Sequence, residues 1–443
     1  GGSDCTTARP TASGDPSTAM EVEFSDTPQP KERSKAKNRA PSAGKGKQQS
    51  RRGRNSAKQA KRRTPPSSAG TPTKVVTPVK RSLGKESVKG KKTTQSARSP
   101  PTKLRSRGVA VGQFTLGSDC TGYDSTKLAL EQLGIAGRFR TAFCTEKDPA
   151  VRKILVATHP DAKGKIRVDA AQRNGHPIQV DLYSAGWPCQ PFSRESDQPG
   201  MDDPRGSVID NILDYLTSHP PRCFFLENVA SIVHDFPALF AHILSTLAGQ
   251  HETDGTKTFT VFWKILDTKE NGVPQSRQRL FIVGVRNCYT KDNVRFTWPT
   301  PVACKPLHTF YEKRPLAKQT ELPNYMMANM GIHLKKLNES GHEFGKQHYV
   351  GDLQCSPGRS QLTLGYTPCL TRNRCGGAGV AKTGRGGFYL YNKMRYMTVD
   401  EMAQLQGIAK GRLQKPDTMK TIRPLAQAIG NGFSVNVVMR ILA

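Results

Sequence analysis

From Val109 onward, short runs of apolar, strand-favouring residues alternate with segments of helical period, and that rhythm leaves few folds open. "VAVGQFTLGSD" reads as a strand and "STKLALEQLG" as a helix capped by Ser125 and closed by Gly134. The strand "RFRTAFCTE" precedes the helix "DPAVRKILVATHP"; then come the strand "IQVDLYSA", the helix "GSVIDNILDYLTSH" and the strand "RCFFLENV". Strands separated by helices run parallel, because each crossover returns the chain to the same edge, and such a sheet needs helices on both faces. The expected fold is therefore α/β, a Rossmann-like doubly wound sheet, with ligands where strand C-termini meet the loops after them. Four such loops stand out: "SDCTGYDS", "CTEKD", the Pro-Cys turn of "SAGWPCQPFS", and "ENV".

The chain ahead of this alternation has another composition. Between Thr27 and Gly108 there is no aromatic residue, and large apolar side chains are too sparse to offset the entropy of ordering. Residues 1–108 therefore read as a disordered basic tail. It holds 26 lysines and arginines against 7 acidic residues, which places +19 of the formal +31 there. Clustered cations gain from counterion release on a phosphate backbone, so DNA or chromatin, bound non-specifically, is the tail's expected partner. The cluster "RRGRNSAKQAKRR" (51–63) suggests a nuclear address. Ten cysteines without a close-spaced framework point to reduced thiols inside a cell. No Cys-x-x-Cys pair occurs, and Cys355, Cys369 and Cys375 are too scattered to suggest one, so no metal is expected. Without an apolar run of about 18 residues, no membrane span is expected either.

Cys189 stands between Pro188 and Pro191, whose locked backbones predict a non-helical turn that presents its thiol. Thiols react as thiolates, which facing positive charge favours. Glu227, at the end of a neighbouring strand, follows Phe224, Phe225 and Leu226; apolar surroundings of that kind raise a carboxyl's pKa and suit it to proton donation. In "VPQSRQRLFIVGVR", Arg277 and Arg279 fall at alternate positions leading into a strand and so face the same way, able to clamp a phosphate or a base oxygen. The plainer reading of the two arginines is a solvated pair on an edge strand. Each feature alone has an ordinary explanation, since a buried cysteine is most often inert packing and a strand-end glutamate a cap or ion-pair partner. Their conjunction is what points to catalysis.

These stretches resemble the ordered motifs of the DNA cytosine-5 methyltransferase family, running through residues 111–441. "PCQPFS" is similar to the family's nucleophile motif, "ENV" to its glutamate motif and "QSRQR" to its Gln-x-Arg-x-Arg motif. "RYMTVDEMAQLQGI" (395–408) is similar to the helix that supports the recognition domain, and "QAIGNGFSVNVV" (427–438) to the closing motif that returns to the cofactor site. The resemblance implies an S-adenosylmethionine-dependent methyltransferase fold and methyl transfer from S-adenosyl-L-methionine to carbon 5 of cytosine in double-stranded DNA. It implies Cys189 as the nucleophile at carbon 6, Glu227 at ring nitrogen 3 and Arg279 on the carbonyl oxygen. Arg277 would support the site, with Asn228 and Gln190 as orienting groups. The target base has to leave the stack to reach them, and residues 193–207 look like the loop that closes over it. For the cofactor, the resemblance implies Gly122, Glu146, Asp169, Asn431 and Ser434. Two stretches depart from the family pattern: "CTGYDS" replaces Phe-Ala-Gly-x-Gly-Gly, and "GNGFSV" stands where Gly-Asn-Ser-Val is typical. The cofactor contacts of Cys120, Asp124 and Ser434 are therefore expected to differ.

Between Pro301 and about Gly387 the alternation fails. The family carries its small, irregular target recognition domain in this interval, so a catalytic domain of 109–300 completed by 388–443 and a recognition domain of 301–387 are expected. Within the latter, "TRNRCGGAGVAKTGRGG" (371–387) reads as a flexible basic loop suited to phosphate contact. Two rival readings share the fold. An RNA-modifying branch of the family acts on tRNA, but its Cys-Phe-Thr signature is missing between residues 300 and 390. An inactive chromatin-binding homologue should have lost at least one of Cys189, Glu227, Arg277 and Arg279, and all four are present.

Overall fold

The computed structural model describes residues 113–443 apart from 171–177, 195–196, 291–295, 314, 317, 319–320, 343–346 and 378. The basic tail expected over 1–108 lies outside the described residues.

The main sheet has seven strands: β1 (Phe114–Asp119), β2 (Phe139–Thr145), β3 (Ile166–Arg167), β4 (Leu182–Ala185), β5 (Cys223–Val229), β6 (Phe259–Asp267) and β7 (Gln278–Arg286). Their order is β3-β2-β1-β4-β5-β7-β6, and the first five pair in parallel. Helices α1 (Ser125–Gln132), α2 (Pro149–Thr158) and α3 (Val208–Ser218) make the crossovers, and α4 (Ser231–Asp235) and α5 (Pro237–Ala248) lead to β6. The cap of α1 is Asp124 and not Ser125: the Asp124 carboxylate takes the Lys127 N–H at 2.9 Å from a left-handed backbone with φ 61°. A carboxylate one residue earlier reaches the third amide, which leaves Ser125 as the first helical residue.

The parallel expectation fails at β7, which runs antiparallel to both β5 and β6. The link from Asp267 to Gln278 is too short for a crossover helix, so the chain turns back as a hairpin. One consequence decides the site: the beginning of β7 lies at the same edge as the ends of β1, β4 and β5. Arginines that precede a strand thereby join loops that follow strands.

A smaller antiparallel sheet has the order β11-β10-β8-β9, from β8 (Tyr349–Gly351), β9 (Leu362–Leu364), β10 (Arg385–Leu390) and β11 (Arg395–Thr398). Helix α6 (Asn324–Glu339) packs Met326, Met330 and Leu337 against Tyr349, Tyr389, Tyr391 and Tyr396. Strand β10 passes through residue 387. The stretch 371–387 is not the open loop its glycines suggested. It contains α7 (Arg372–Cys375) and α8 (Val380–Thr383), with Cys375 and Val380 fully buried. Helices α9 (Val399–Leu405), α10 (Arg423–Asn431) and α11 (Val435–Leu442) complete the chain. Close packing explains Gly376, where a Cβ would sit 2.3 Å from Gln427 of α10, and α10 returns the contact at Gly430, where a Cβ would sit 2.4 Å from the Thr371 backbone.

Two cores lie on the two faces of the main sheet. Phe225 and Phe281 join Leu128, Ile429 and Val438 on one side, whereas their strand neighbours Phe224 and Ile282 join Ile212 and Ile243 on the other. Apolar residues at consecutive positions are what a sheet covered twice requires. Among the described residues, no helix is long and apolar enough to cross a membrane.

Candidate active site

β4 ends at Ala185, and Gly186, Trp187 and Pro188 carry the chain to Cys189. The turn there is helical, contrary to expectation. Cys189 has φ −84° and ψ −13°, and its carbonyl accepts the Phe192 N–H at 3.0 Å to open a 3₁₀ turn over Gln190–Phe192. Pro191 falls early in that turn, where its missing N–H costs nothing and its fixed φ favours the helical geometry. Asn228, on β5, pins this turn: its side-chain amide donates to the Trp187 carbonyl at 3.1 Å while its oxygen takes the Val229 N–H at 2.8 Å. The Ser231 hydroxyl adds a bond to the Phe192 carbonyl at 2.7 Å. Gln190 is half-buried beside the half-buried thiol.

Register brings the acid and the cation together. Phe281 faces Glu227 and Arg279 faces Val229 across β5 and β7, so Glu227 and Arg279 are diagonal neighbours on one face. Arg279 Nε lies 3.3 Å from Glu227 Oε1, close enough for ion pairing, yet Oε1 is buried without an aligned hydrogen bond. Burial raises the Glu227 carboxyl, against the pull of Arg279 and Arg277. Burial likewise pushes the Cys189 thiol up; Arg279 and Arg277 oppose the shift and Glu227 adds to it. Positive charge does face the sulfur as expected, but desolvation outweighs it, so Cys189 is a thiol at rest.

Neither arginine is a solvated edge residue. Arg277 is 3% exposed and donates to the carbonyls of Leu370 at 2.8 Å, Gly430 at 3.3 Å and Gly432 at 2.8 Å. It is a tie among three segments and not half of a clamp. Arg279 donates to its neighbour's carbonyl, Gln278 O, at 2.7 Å. Between them lies Cys369, whose sulfur accepts from Arg277 at 3.5 Å and from Arg279 at 3.4 Å. The sequence raises Cys369 only as a metal ligand, because cysteine spacing speaks only to metals and disulfides and not to a place between two arginines. Gln275 and Gln406 were also missed. Gln275 bridges the Leu405 carbonyl, the Gln406 side chain and the Leu370 N–H, and Gln406 reaches the Ile429 carbonyl at 2.8 Å. A buried glutamine leaves no periodic signal, although the "Q" opening "QSRQR" marked the place.

The residues expected at the cofactor occupy the same sheet edge. Gly122 has φ +61°, with open space where a Cβ would project, and its N–H donates to Glu146 Oε2 at 2.9 Å. Glu146 Oε1 takes the Asp148 N–H at 2.8 Å, and burial raises this carboxyl against those two bonds. Asp169 is 3.4 Å from Lys147. Asn431 is exposed at the end of α10, whereas Ser434 is turned inward, its hydroxyl 2.6 Å from that of Thr268. Cys120 and Asp124 hold left-handed backbones, with φ of 50° and 61°.

The family model described as C-5 cytosine-specific DNA methylase matches residues 115–443. The chain belongs to that family. It is 28% identical over 337 residues to the type II methyltransferase M.NgoBI of Neisseria gonorrhoeae, covering 72% of this chain and 88% of that protein. It is 26% identical over 329 residues to M.HhaI of Haemophilus parahaemolyticus, covering 72% and 90%. Among solved structures, the Entamoeba histolytica methyltransferase EhMeth shares the fold, with a TM-score of 0.50 at 15% identity over 74% of this chain and 97% of that one. This cytosine-5 DNA methyltransferase thus has the mixed sheet of the S-adenosylmethionine-dependent fold, and the antiparallel β7 is part of it.

The site of this methyltransferase fits such a donor. The uncrowded backbone at Gly122, with the Glu146 carboxylate bonded to it, offers a cradle and acceptors for a ribose. Residues 193–207, expected to close over a base, are anchored at one end: Arg194 makes a two-pronged pair with Asp235 at 2.6 Å per bond, and Gln198 donates to the Phe192 carbonyl at 3.2 Å.

Proposed function

We propose that this methyltransferase moves a methyl group from S-adenosyl-L-methionine to carbon 5 of a cytosine extruded from double-stranded DNA, through a transient bond from Cys189 to carbon 6. The convergence of a half-buried thiol, a buried carboxyl and a guanidinium 3.3 Å from that carboxyl, all at the donor's edge of the sheet, carries this reading. Carbon 5 of cytosine is a weak nucleophile. Addition of the Cys189 thiolate to carbon 6 turns the ring into an enamine whose electrons gather at carbon 5. Glu227, kept protonated more readily by burial, hydrogen-bonds or protonates nitrogen 3 and so neutralises charge gained in the addition. Arg279 holds the base's carbonyl oxygen, and Arg277 and Asn228 fix the surrounding backbone. The bound donor supplies a methyl group on a positive sulfonium. Loss of the carbon 5 proton and of the cysteine sulfur then restores the aromatic ring and frees Cys189.

Gly122, Glu146, Asp169 and Asn431 would hold the donor, and the recognition unit of 301–387, whose sheet runs on past that bound to Thr398, would read the DNA. Segment 1–108, with +19 of the charge, would add a sequence-independent hold on DNA and a nuclear address.

A duplex with 5-fluorocytosine tests this, because fluorine cannot leave as the proton does. With S-adenosylmethionine present, a covalent adduct should form on the peptide containing Cys189 and be lost in Cys189→Ser. An unmodified Cys189 peptide would overturn the mechanism, and labelled methyl transfer to tRNA but not to DNA would overturn the substrate.

A further inference from the structure

The two departures from the family pattern fit each other. Tyr123, the aromatic residue of the altered first loop, is 1% exposed and turned into the protein. Its hydroxyl lies 2.1 Å from where a Cβ on Gly432 would stand, so the extra glycine of the closing segment is what admits the tyrosine. The next residue, Phe433, has its ring 2.3 Å from where a Cβ on Gly186 would stand and meets Phe225 edge-on at 6.0 Å. Gly186 follows the last residue of β4, which neighbours β1 at the reversal of strand order, and it stands three positions before Cys189. In doubly wound sheets the ligand crevice opens at that reversal.

Phe433 remains half-exposed there, while Ser434 beside it is buried against Thr268. The closing segment therefore presents an aromatic ring, and not the serine hydroxyl, between the crevice and the cysteine turn. We infer that Phe433 is a wall of the donor site that recognises the positive charge of the sulfonium. This rests on the donor proposed above. A methyl group bound for a base over Cys189 has to start near Gly186, which puts its cationic sulfur within reach of the ring. The negative face of an aromatic ring attracts such a cation and does nothing comparable for a neutral thioether.

Calorimetric titration of the whole protein with S-adenosylmethionine and with the neutral product S-adenosylhomocysteine separates the possibilities. Phe433→Leu and the similarly sized Phe433→Met should each bind the sulfonium about tenfold more weakly while losing less than about threefold for the thioether. Phe433→Trp should keep the preference. Because the thioether reports an intact site, a variant that binds both ligands equally weakly, or both as wild type does, overturns the inference. Wild-type protein that binds neither ligand would instead overturn the proposed function.

Discussion

Cys189 is governed by opposed influences, and they predict a divergence between reactivity and turnover. Burial and the Glu227 carboxylate hold its thiol up, while Arg279 and Arg277 pull it down. Above the pH at which Glu227 gives up its proton, Glu227→Gln removes a negative charge, so Cys189 should there ionise more readily and react with iodoacetamide up to about tenfold faster, an order of magnitude per pKa unit. Arg279→Gln should slow the same alkylation. Methyl transfer should nevertheless fall in both variants, by about 10²–10⁴ for the glutamate, since each also loses the role proposed for it on the base. Peptide mass spectrometry following the Cys189 adduct over time, beside transfer from labelled donor, checks both halves. Equal alkylation rates in all three proteins would show that the charges do not act on the sulfur. The raised thiol also predicts a wild-type rate that climbs with pH through neutrality, because only the thiolate adds to the ring.

Elements explain what single residues cannot. The hairpin from β6 to β7 delivers Arg277 to the site edge, and Arg277 then gathers Leu370, Gly430 and Gly432 into one unit. A lysine ammonium cannot span three carbonyls, so Arg277→Lys should leave buried acceptors unpaired at about 1–3 kcal/mol each. We expect urea unfolding to show a loss of about 2–5 kcal/mol. The strands and crossover helices were legible in the sequence because apolar runs and helical periods are local properties. The fold family and the Cys189, Glu227 and Arg279 cluster were legible through motifs at strand ends. The direction of β7 was not, since a hairpin and a crossover differ in link length and not in the strand's own residues. Three-residue strands such as β8 and β9 are too short to show a period. Glycines in 371–387 looked like freedom because sequence alone cannot distinguish an open loop from a backbone pressed against a helix.

At the scale of the whole molecule, the smaller sheet joins the main core through Val350, Phe388, Leu390 and Met397 on one face and packs a core of its own against α6 on the other, where a titratable group lies that the chemistry does not use. His333 of α6 is fully buried, between the Tyr391 hydroxyl at 2.7 Å and the Ser360 hydroxyl at 2.8 Å. Burial, helped by Lys336, lowers its pKa from the usual 6.5 to about 4. The unfolded chain therefore binds a proton between about pH 6.5 and pH 4 that the folded chain refuses. Stability contributed by the neutral ring is complete above that window and drains away as pH falls through it, by up to about 3 kcal/mol. Acid should loosen the packing of α6 on this sheet before the main sheet is affected. His333→Gln keeps a donor and an acceptor but cannot take up the proton, so its urea midpoint should change less than wild type's between pH 7 and pH 5. Equal losses in the two proteins would place the acid sensitivity elsewhere than at His333.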